Sequence, residues 1–448
     1  MNNKMRSFEK YKRLIKLTFS IVMILMIVTM YGYVWIGYYN KVILFPFFRK
    51  GNWMMIALYA TLLIFFMKMY GGFKVGYLKK GNLIYSQILA IIFTNTFTYF
   101  QIAVLDKGFF NPIHLIILAV ADSVVIILWT LIFQANYVKM FPPRKMLLIS
   151  GGRSDYHLME KMNAREDKYE ICEVIHYKVG IKSIISELNK FDAVIVGDMP
   201  SHERNLIVKY CFEHSIRSYS VPKISDILLR SSYDLNLFDS PLLLSRNQGL
   251  QIEQEFAKRI LDIIGATIGI IISLPFFIVI AVSIKMTDGG PVFYKQTRLT
   301  KDGKEFEIYK FRTMIQDAEK DGIPRLAAEG DSRILPVGRL LRRTRLDELP
   351  QIYNILRGDM SLVGPRPERP ELAEELTKEI PEFPCRLKVK AGLTGYAQVY
   401  GKYNTTAYDK LKLDLTYIRN YSFFLDLKLI VMTPKILFLK ESTEGVKE

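Results

Sequence analysis

The chain has 448 residues, which is too long for one ordinary hydrophobic core, so several domains are expected. Half of the residues are hydrophobic and the mean hydropathy is +0.14, values that favour membrane segments over a soluble enzyme. The net charge of +17 and the position of the cations beside apolar segments predict membrane lipids as partners and no nucleic acid. The scattered cysteines, Cys172, Cys211 and Cys385, predict reduced cytosolic thiols rather than a disulfide framework.

Apolar segments come first in the chain, at residues 14–37, 53–70, 84–104 and 113–135. Each is close to the ~20 residues that a helix needs to span a bilayer, so residues 1–140 are predicted to form a bundle of four transmembrane helices. The first segment is too long for a cleavable signal peptide and has no small-residue cleavage site. Cations precede or open the first segment and follow the second and the fourth, which predicts that both ends of the bundle are cytoplasmic. Lys41, Arg49 and Lys50 oppose this orientation. The orienting cations are Lys4, Arg6, Lys10, Lys12, Arg13, Lys16, Lys74, Lys79, Lys80, Lys139, Arg144 and Lys145.

Residues 141–235 alternate short apolar runs with amphipathic stretches, a pattern typical of a small, parallel, Rossmann-like α/β domain. The predicted strands are 145–150, 171–177, 193–196 and 217–221, and the predicted helices include 156–162, 181–188 and 203–213. Ser150-Gly151-Gly152 follows the first strand, where a dinucleotide fingerprint would begin, but the G-x-G-x-x-G spacing is absent. The pattern favours a structural or dimerising role over cofactor binding.

A linker at 236–254 leads to residues 255–286, where hydropathy alone indicates a fifth spanning helix. Ser273 and Pro275 lie in the middle, and proline there removes a backbone hydrogen bond and kinks a helix. Both flanks are basic, whereas a spanning helix carries such charge mainly on one side. The flanking cations are Lys258, Arg259, Lys285, Lys295, Arg298 and Lys301. We therefore predict a broken, re-entrant helix that enters and leaves by the cytoplasmic face, with Asp262 paired to a nearby lysine or arginine. An ordinary fifth span with a tolerated proline is the alternative.

Residues 287–448 are predicted to form an α+β catalytic domain. An Asp-Gly turn at 301–304, between the alternating runs 292–298 and 306–311, predicts a β-hairpin. Residues 345–357 indicate a helix, and the alternation of cations with apolar residues at 386–390 indicates a half-buried strand. The apolar, aromatic stretch 421–439 predicts an interfacial helix.

The adjacent pair Asp347-Glu348 follows an arginine-rich run that begins at Arg342, and Arg366 lies between prolines further on. An acidic pair alone usually lies on a solvated helix face. Beside several fixed cations it suits a metal ion and a diphosphate, with a carboxylate available as nucleophile. A structural salt bridge between Arg343 and Asp347, four residues apart on the predicted helix, is the alternative.

Between residues 255 and 440 the chain resembles the polyprenyl-phosphate hexose-1-phosphate transferases, bacterial sugar transferases that start exopolysaccharide, capsule or O-antigen synthesis. The resemblance rests on ordered motifs, namely KRxxD at 258–262, GPVFYKQ at 290–296, YKFRTM at 309–314, LDELPQ at 346–351, GDMSLVGPRP at 358–367 and GLTG at 392–395. The family usually has proline before the last motif, where this chain has Ala391. This departure alters local stiffness and leaves the catalytic assignment unchanged.

The resemblance implies transfer of a sugar 1-phosphate from a UDP-sugar to undecaprenyl phosphate, with UMP released and Mg²⁺ required. Asp347 would be the nucleophile that forms an aspartyl–phosphosugar intermediate, and Glu348 would help it hold Mg²⁺. Arg342 and Arg366 match the two arginines of the family's site, and Pro275 matches the break in its re-entrant helix. Further candidates for binding substrate phosphate are Lys295, Arg298, Arg312, Lys388 and Lys390, of which the last two could equally face water. The resemblance also implies a homodimer in the bacterial cytoplasmic (inner) membrane with its active site facing the cytoplasm.

Two other functions compete with this one. A membrane-anchored nucleotide-sugar dehydratase or epimerase needs dinucleotide glycines and a Tyr-x-x-x-Lys pair on a helix, whereas this chain offers only Tyr219 and Lys223 around a proline. A catalytically inactive assembly scaffold would be favoured by loss of an acidic or arginine residue of the site, and those residues are intact.

Overall fold

The computed structural model describes residues 9–152, 154–236, 239–245, 248–316, 331, 333–402 and 405–437. The chain divides into two compact units, with the boundary between Pro222 and Lys223. Lys4 and Arg6, two of the cations used to orient the first helix, lie outside the described residues.

The first unit begins with long apolar helices, each of which has the length and composition to cross a membrane, as predicted. They are α1 (Lys12–Val34, continued by a π-helical turn Trp35–Tyr39 and by Asn40–Val42), α2 (Lys50–Tyr70), α3 (Lys80–Leu105) and α4 (Ile113–Met140). Polar side chains also lie in the core of the bundle. Tyr59 Oη donates a 3.1 Å hydrogen bond to Asn95 Oδ1, and Asp122 is fully buried beside them.

A parallel α/β sheet domain completes the first unit. Its elements are β1 (Arg144–Ser150), α5 (Ser154–Asn163), β2 (Tyr169–His176), α6 (Ile181–Leu188), β3 (Ala193–Val196), α7 (Ser201–Glu213) and β4 (Arg217–Ser220). The strand order in the sheet is β2-β1-β3-β4. The predicted α/β alternation is confirmed, and β1 and β3 are buried on both faces, as the central strands of a parallel sheet are. Tyr219 lies on β4, so Tyr219 and Lys223 are not a pair on one helix.

The glycine turn after β1 surrounds a carboxylate of the same domain. Asp155 Oδ2 accepts hydrogen bonds from the N–H groups of Gly151 at 2.7 Å and Gly152 at 3.1 Å, and Asp155 Oδ1 accepts one from Asp198 N–H at 3.2 Å. In dinucleotide-binding folds, the N–H groups at this end of the sheet bind a phosphate. Here the buried side chain of Asp155 takes these bonds.

The second unit begins earlier in the chain than the predicted linker. Helix α8 (Ile224–Arg230) buries Ile224 and Ile227 in the same cluster as Val363 and Val389, and strands β5 (Tyr233–Leu235) and β6 (Leu242–Leu244) pair antiparallel. Residues 223–235 therefore pack with the second unit, whereas the sequence placed them in the α/β domain. The reason is that the apolar face of α8 finds its partners in the second unit.

Helix α9 (Ile252–Asp288) is continuous through Pro275, so the predicted break in helical structure is wrong. Proline removes one N–H donor from a helix, and the flanking turns of α9 continue the helix on both sides of it. Ser273 lies two residues earlier, is buried, and donates to Ile270 O at 3.4 Å.

The region beyond α9 begins with the predicted hairpin, β7 (Phe293–Leu299) and β8 (Glu305–Phe311). It continues through α10 (Pro336–Thr344), α11 (Gln351–Arg357), β9 (Ser361–Val363), α12 (Pro370–Glu379), β10 (Gly392–Thr394), α13 (Tyr396–Tyr400), α14 (Ala407–Arg419) and α15 (Phe423–Leu437). Helix α15 matches most of the predicted stretch 421–439, whose last residues lie outside the described ones. The strand predicted at 386–390 is wrong, because Phe383–Lys388 is a 3₁₀ helix with Pro384 in its first turn.

Candidate active site

The acidic pair lies on a short 3₁₀ turn, not on the helix predicted over 345–357. Helix α10 ends at Thr344 because Arg345 adopts a left-handed conformation, with φ of 55°. Leu346–Glu348 then forms the 3₁₀ turn, and α11 begins only after Pro350. Arg343 and Asp347 therefore do not share a helix, which removes the geometry of the alternative salt bridge.

Glu348 is held by two cations from different parts of the chain. Its Oε1 accepts hydrogen bonds from Lys310 Nζ at 3.0 Å and from Arg366 Nη2 at 2.8 Å, and its side chain is only 12% exposed. Lys310 lies on β8 and Arg366 follows β9. Charge-assisted bonds of this kind are strong when they are partly shielded from water.

Asn354 explains why Lys310 reaches the acidic turn. This fully buried residue of α11 accepts a 3.1 Å hydrogen bond from Tyr309 N–H through Oδ1 and donates a 2.7 Å bond from Nδ2 to Glu307 O. The side-chain amide thereby fastens the hairpin strand β8 to the helix that follows Asp347 and Glu348.

The two adjacent carboxyl groups have opposite pKa shifts. Burial, together with the charge of Glu348, raises the pKa of Asp347, although Lys310, Arg342 and Arg366 partly oppose this. Burial also disfavours ionised Glu348, but Arg366 and Lys310 outweigh it, so the pKa of Glu348 falls well below its ordinary value. Glu348 is therefore a firmly ionised anchor, and Asp347 is a carboxyl group whose charge depends on the cations around it.

Arg342 is positioned by a hydrogen bond from its Nε to Thr313 Oγ1 at 2.9 Å. Thr313 follows β8, and its carbonyl oxygen accepts a 3.0 Å bond from Leu335 N–H at the start of α10. Gly338 of α10 passes so close that a Cβ there would lie 2.2 Å from Thr313 O. This close approach, which only glycine permits, sets the position of Arg342 relative to β8.

The segment that carries Arg366 is supported from behind by two further arginines. The buried Arg386 donates from Nη2 to Arg366 O at 3.0 Å and from Nε to Asp414 Oδ2 at 3.0 Å. Arg298 donates from Nη1 to Pro367 O at 3.3 Å. The charge of Glu348 raises the pKa of Arg366. Arg366 also lines an open pocket together with Glu368 and Arg386. Asp414 is thus the ion-pair partner that holds Arg386 in place.

Other cations predicted to bind phosphate have different partners in the structure. Arg312 is buried and makes a bidentate pair with Asp288 at the end of α9. Lys295 is exposed and lies 3.4 Å from Glu307, and Lys388 is exposed. Lys390 is half-buried, and burial followed by the charge of Arg259 lowers its pKa. None of these contacts brings Arg312, Lys295 or Lys390 to Asp347 or Glu348.

The motif near the start of α9 joins this helix to β9, α11 and α15. Lys258 Nζ donates to Val363 O at 2.7 Å and to Asp426 Oδ2 at 2.7 Å. Arg259 donates to the last carbonyl groups of α11, those of Ile355 at 2.7 Å and Leu356 at 2.6 Å, as a cation at a helix C-terminus should.

The predicted ion pair of Asp262 is wrong. Its Oδ1 accepts 2.8 Å hydrogen bonds from Ser361 Oγ and from Leu362 N–H of β9. The lysine of the motif is already occupied by Asp426, and the arginine by α11. Asp262 therefore satisfies donors of the strand that leads to Arg366.

Sequence reasoning missed Lys310, Thr313, Asn354 and Arg386 as components or supports of the site. Lys310 and Thr313 both lie in the motif at 309–314, so that motif could have pointed to them. Asn354 and Arg386 carry no comparable local signal, because their role depends on partners 45 and 28 residues away in the chain.

The region that contains these residues is similar to known proteins. The profile of the bacterial sugar transferase family matches residues 253–440, which include every element described around Asp347. A putative undecaprenyl-phosphate N-acetylgalactosaminyl 1-phosphate transferase of Bacillus subtilis is 48% identical over 130 residues, which are 29% of this chain and 72% of the relative. The chain belongs to the bacterial sugar transferase family.

Longer relatives are also similar to this family member. A UDP-N-acetylgalactosamine-undecaprenyl-phosphate N-acetylgalactosaminephosphotransferase of Aeromonas hydrophila is 42% identical over 40% of this chain and 43% of its own length. A UDP-glucose:undecaprenyl-phosphate glucose-1-phosphate transferase of Klebsiella pneumoniae is 33% identical over 66% of this chain and 59% of its own length. The chain thus matches about half the length of these relatives, and their printed names include different sugars.

Proposed function

We propose that this chain transfers a sugar 1-phosphate from a UDP-sugar to undecaprenyl phosphate, releases UMP, and so initiates synthesis of an exopolysaccharide, capsule or O-antigen. The observation that carries the proposal is the convergence of Lys310, Arg342 and Arg366 on the acidic turn of Asp347 and Glu348. Phosphoryl transfer requires positioning and charge neutralisation more than elaborate covalent chemistry, and this arrangement supplies both.

In the proposed first step, a carboxylate oxygen of Asp347 attacks the phosphorus that bears the sugar. An O–P bond forms as the bond to UMP breaks, and UMP leaves with the electron pair. In the second step, a phosphate oxygen of the lipid attacks the same phosphorus and expels Asp347 as a carboxylate. Glu348 holds Lys310 and Arg366 in place, and these two cations together with Arg342 stabilise the charge on the transferred phosphoryl group.

The residues present fit Mg²⁺, with Asp347 and Glu348 as its protein ligands. The described part of the chain has no group of three or more acidic, histidine or cysteine side chains arranged for a metal. Mg²⁺ commonly takes only one or two protein carboxylates and completes its coordination with substrate phosphates and water. When bound, it would neutralise charge on the diphosphate.

We also propose that α9 is re-entrant, although it is helical throughout. Its first half contacts the catalytic domain through Arg259. Its last turns contact the same domain at two points. Ile284 packs with Phe311, and Asp288 pairs with Arg312. A helix that crossed the ~30 Å hydrocarbon layer would carry one of these ends away from the domain. The exposed apolar residues between them, such as Ile271, would lie in the leaflet next to the cytoplasm.

A direct test uses membranes that contain the full chain, Mg²⁺, undecaprenyl phosphate and a panel of UDP-sugars. We expect UMP release that requires the lipid and disappears in Asp347→Asn, while Glu374→Gln, a change at an exposed acid of α12, leaves it intact. Release of UDP would indicate an ordinary glycosyltransferase and contradict the mechanism. No release with any donor would favour the inactive scaffold.

The topology of α9 can be tested separately in a chain without native cysteines. Phe256→Cys and Met286→Cys place thiols at exposed positions near its two ends. In intact spheroplasts, both thiols should be protected from an impermeant maleimide, and they should react after lysis. Phe109→Cys, in the loop between α3 and α4, should already react in intact spheroplasts. Labelling of Met286→Cys from outside would identify an ordinary fifth span.

A further inference from the structure

Three half-buried lysines gather at one end of the apolar helices, and we call Lys12, Lys16 and Lys168 the lysine cluster. Lys12 Nζ lies 4.7 Å from the ring centroid of Phe141, and Lys16 Nζ lies 4.3 Å from that of Tyr77. Lys168 Nζ lies 4.6 Å from the same Tyr77 ring. Two ammonium groups therefore share one aromatic ring.

The neighbouring carboxylates are engaged by arginines. Glu9 pairs with Arg144 and with Arg217, and Asp167 pairs with Arg165 at 2.8 Å. Within the part of the chain that the structure describes, no ion pair joins a carboxylate to a member of the lysine cluster. Burial lowers the pKa of Lys168, and the nearby charge of Asp167 only partly opposes this effect.

The position of the cluster indicates which anion would complete it. Lys12 is the first residue of α1, and Tyr77 lies in the loop between α2 and α3. Tyr137 lies in the last turns of α4, and Lys16 Nζ is 5.3 Å from the centroid of its ring. Tyrosine and lysine at the ends of spanning helices are typical of the membrane–water boundary, where lipid phosphates lie.

We propose that the lysine cluster binds the phosphate group of an anionic phospholipid, with Tyr77 and Tyr137 flanking the headgroup. The ammonium groups would donate charge-assisted hydrogen bonds to the phosphate oxygens, while acyl chains lie along the apolar helices. This site rests on the proposed membrane insertion of the chain. It lies in the first unit and uses no residue of the proposed transferase mechanism.

The test is a titration of the full chain in neutral detergent with phosphatidylglycerol, with bound lipid counted by native mass spectrometry. Each lysine near an anionic headgroup contributes about 1 kcal/mol, so the variant Lys12→Gln/Lys16→Gln/Lys168→Gln should bind the lipid up to about 100-fold more weakly. The matched control Lys178→Gln/Lys182→Gln/Lys209→Gln removes the same charge from exposed positions of the α/β domain and should bind as the unchanged chain does.

Two further arms decide the source of the phosphate and the cause of any loss. Replacing the cluster lysines by arginine preserves the charge and should preserve binding, which separates lost recognition from misfolding. Inorganic phosphate at the same concentration should not displace the lipid. Displacement by inorganic phosphate, or equal lipid binding by the glutamine variant, would overturn the proposal. Counting bound lipid does not require turnover. The lipid-binding result can therefore be interpreted even if no UMP is released in the transferase assay.

Discussion

Lys258 Nζ lies 2.7 Å from Asp426 Oδ2, and both side chains are almost completely buried between α9 and α15. The same ammonium group also donates to Tyr417 Oη at 3.0 Å and to Val363 O, three residues before Arg366. This buried ion pair therefore connects the apolar helix α9, helix α15 and the strand β9 that leads to Arg366. Neither partner was expected to do this from its local sequence.

Breaking this pair from one side should be costly. Lys258→Met leaves the carboxylate of Asp426 buried without its cation, so we expect a loss of about 3–5 kcal/mol in the free energy of unfolding. The double variant Lys258→Met/Asp426→Leu should recover part of that loss, because no buried charge remains. Unfolding of the purified full chain in detergent measures both. Lys378→Met, which removes an exposed pair with Glu374, should change stability little, and an equal loss there would contradict this account.

Burial raises the pKa of Asp347, and the proposed attack requires this carboxyl group to be ionised, so its titration should limit activity at low pH. Arg366 is one of the cations that oppose the rise, so Arg366→Gln should raise the pKa of Asp347 further. Activity will then be lost at a higher pH as the solution is acidified. We expect the acidic limb of the pH–activity profile to move upward by about one pH unit, together with lower activity throughout.

The control for this shift is Arg343→Gln, which removes an exposed arginine of α10 close to the site in sequence. Its acidic limb should coincide with that of the unchanged protein. An identical displacement in both variants would mean that general positive charge, rather than the charge of Arg366 beside Asp347, sets the profile.

Gly338 offers a test of how Arg342 is positioned. Gly338→Ala places a methyl group against Thr313 O and should push α10 away from β8, at a cost of about 1–3 kcal/mol in stability. We expect turnover to fall at least about 10-fold because Arg342 loses its place in the site. Thr313→Val keeps the backbone contact but removes the acceptor for Arg342, and it should lower turnover with less effect on stability. The control is Gly81→Ala, where the added methyl group would have no atom within 4 Å. Full activity of Thr313→Val would show that its hydrogen bond does not position Arg342.

Asp155 should stabilise the α/β domain by occupying its own anion site. Asp155→Ala leaves the N–H groups of Gly151, Gly152 and Asp198 without this acceptor, so we expect a loss of about 1–3 kcal/mol. Inorganic phosphate should restore part of the thermal stability of this variant and have little effect on the unchanged protein. Glu166→Ala, at an exposed position, should behave like the unchanged protein. Nucleotide binding by the unchanged α/β domain would contradict the assignment.

Several features of this protein followed from sequence alone because they depend on local patterns. The apolar helices could be predicted because each is a long, almost uninterrupted run of apolar residues. Strands β1 and β3 could be predicted because each is a short apolar run, and both are buried on both faces. The hairpin followed from Asp-Gly between alternating runs, and the acidic pair followed from its arginine neighbours and the surrounding motifs. Each of these signals lies within a few consecutive residues.

Tertiary structure alone decided which side chains meet. Lys310 reaches Glu348 because Asn354 fastens β8 to α11, and Arg386 supports Arg366 because Asp414 holds it from α14. Arg312 looked equally suited to phosphate in the sequence but is occupied by Asp288. Charge type and spacing identify which residues are able to bind an anion, whereas long-range packing determines which of them already have a partner and which face the substrate.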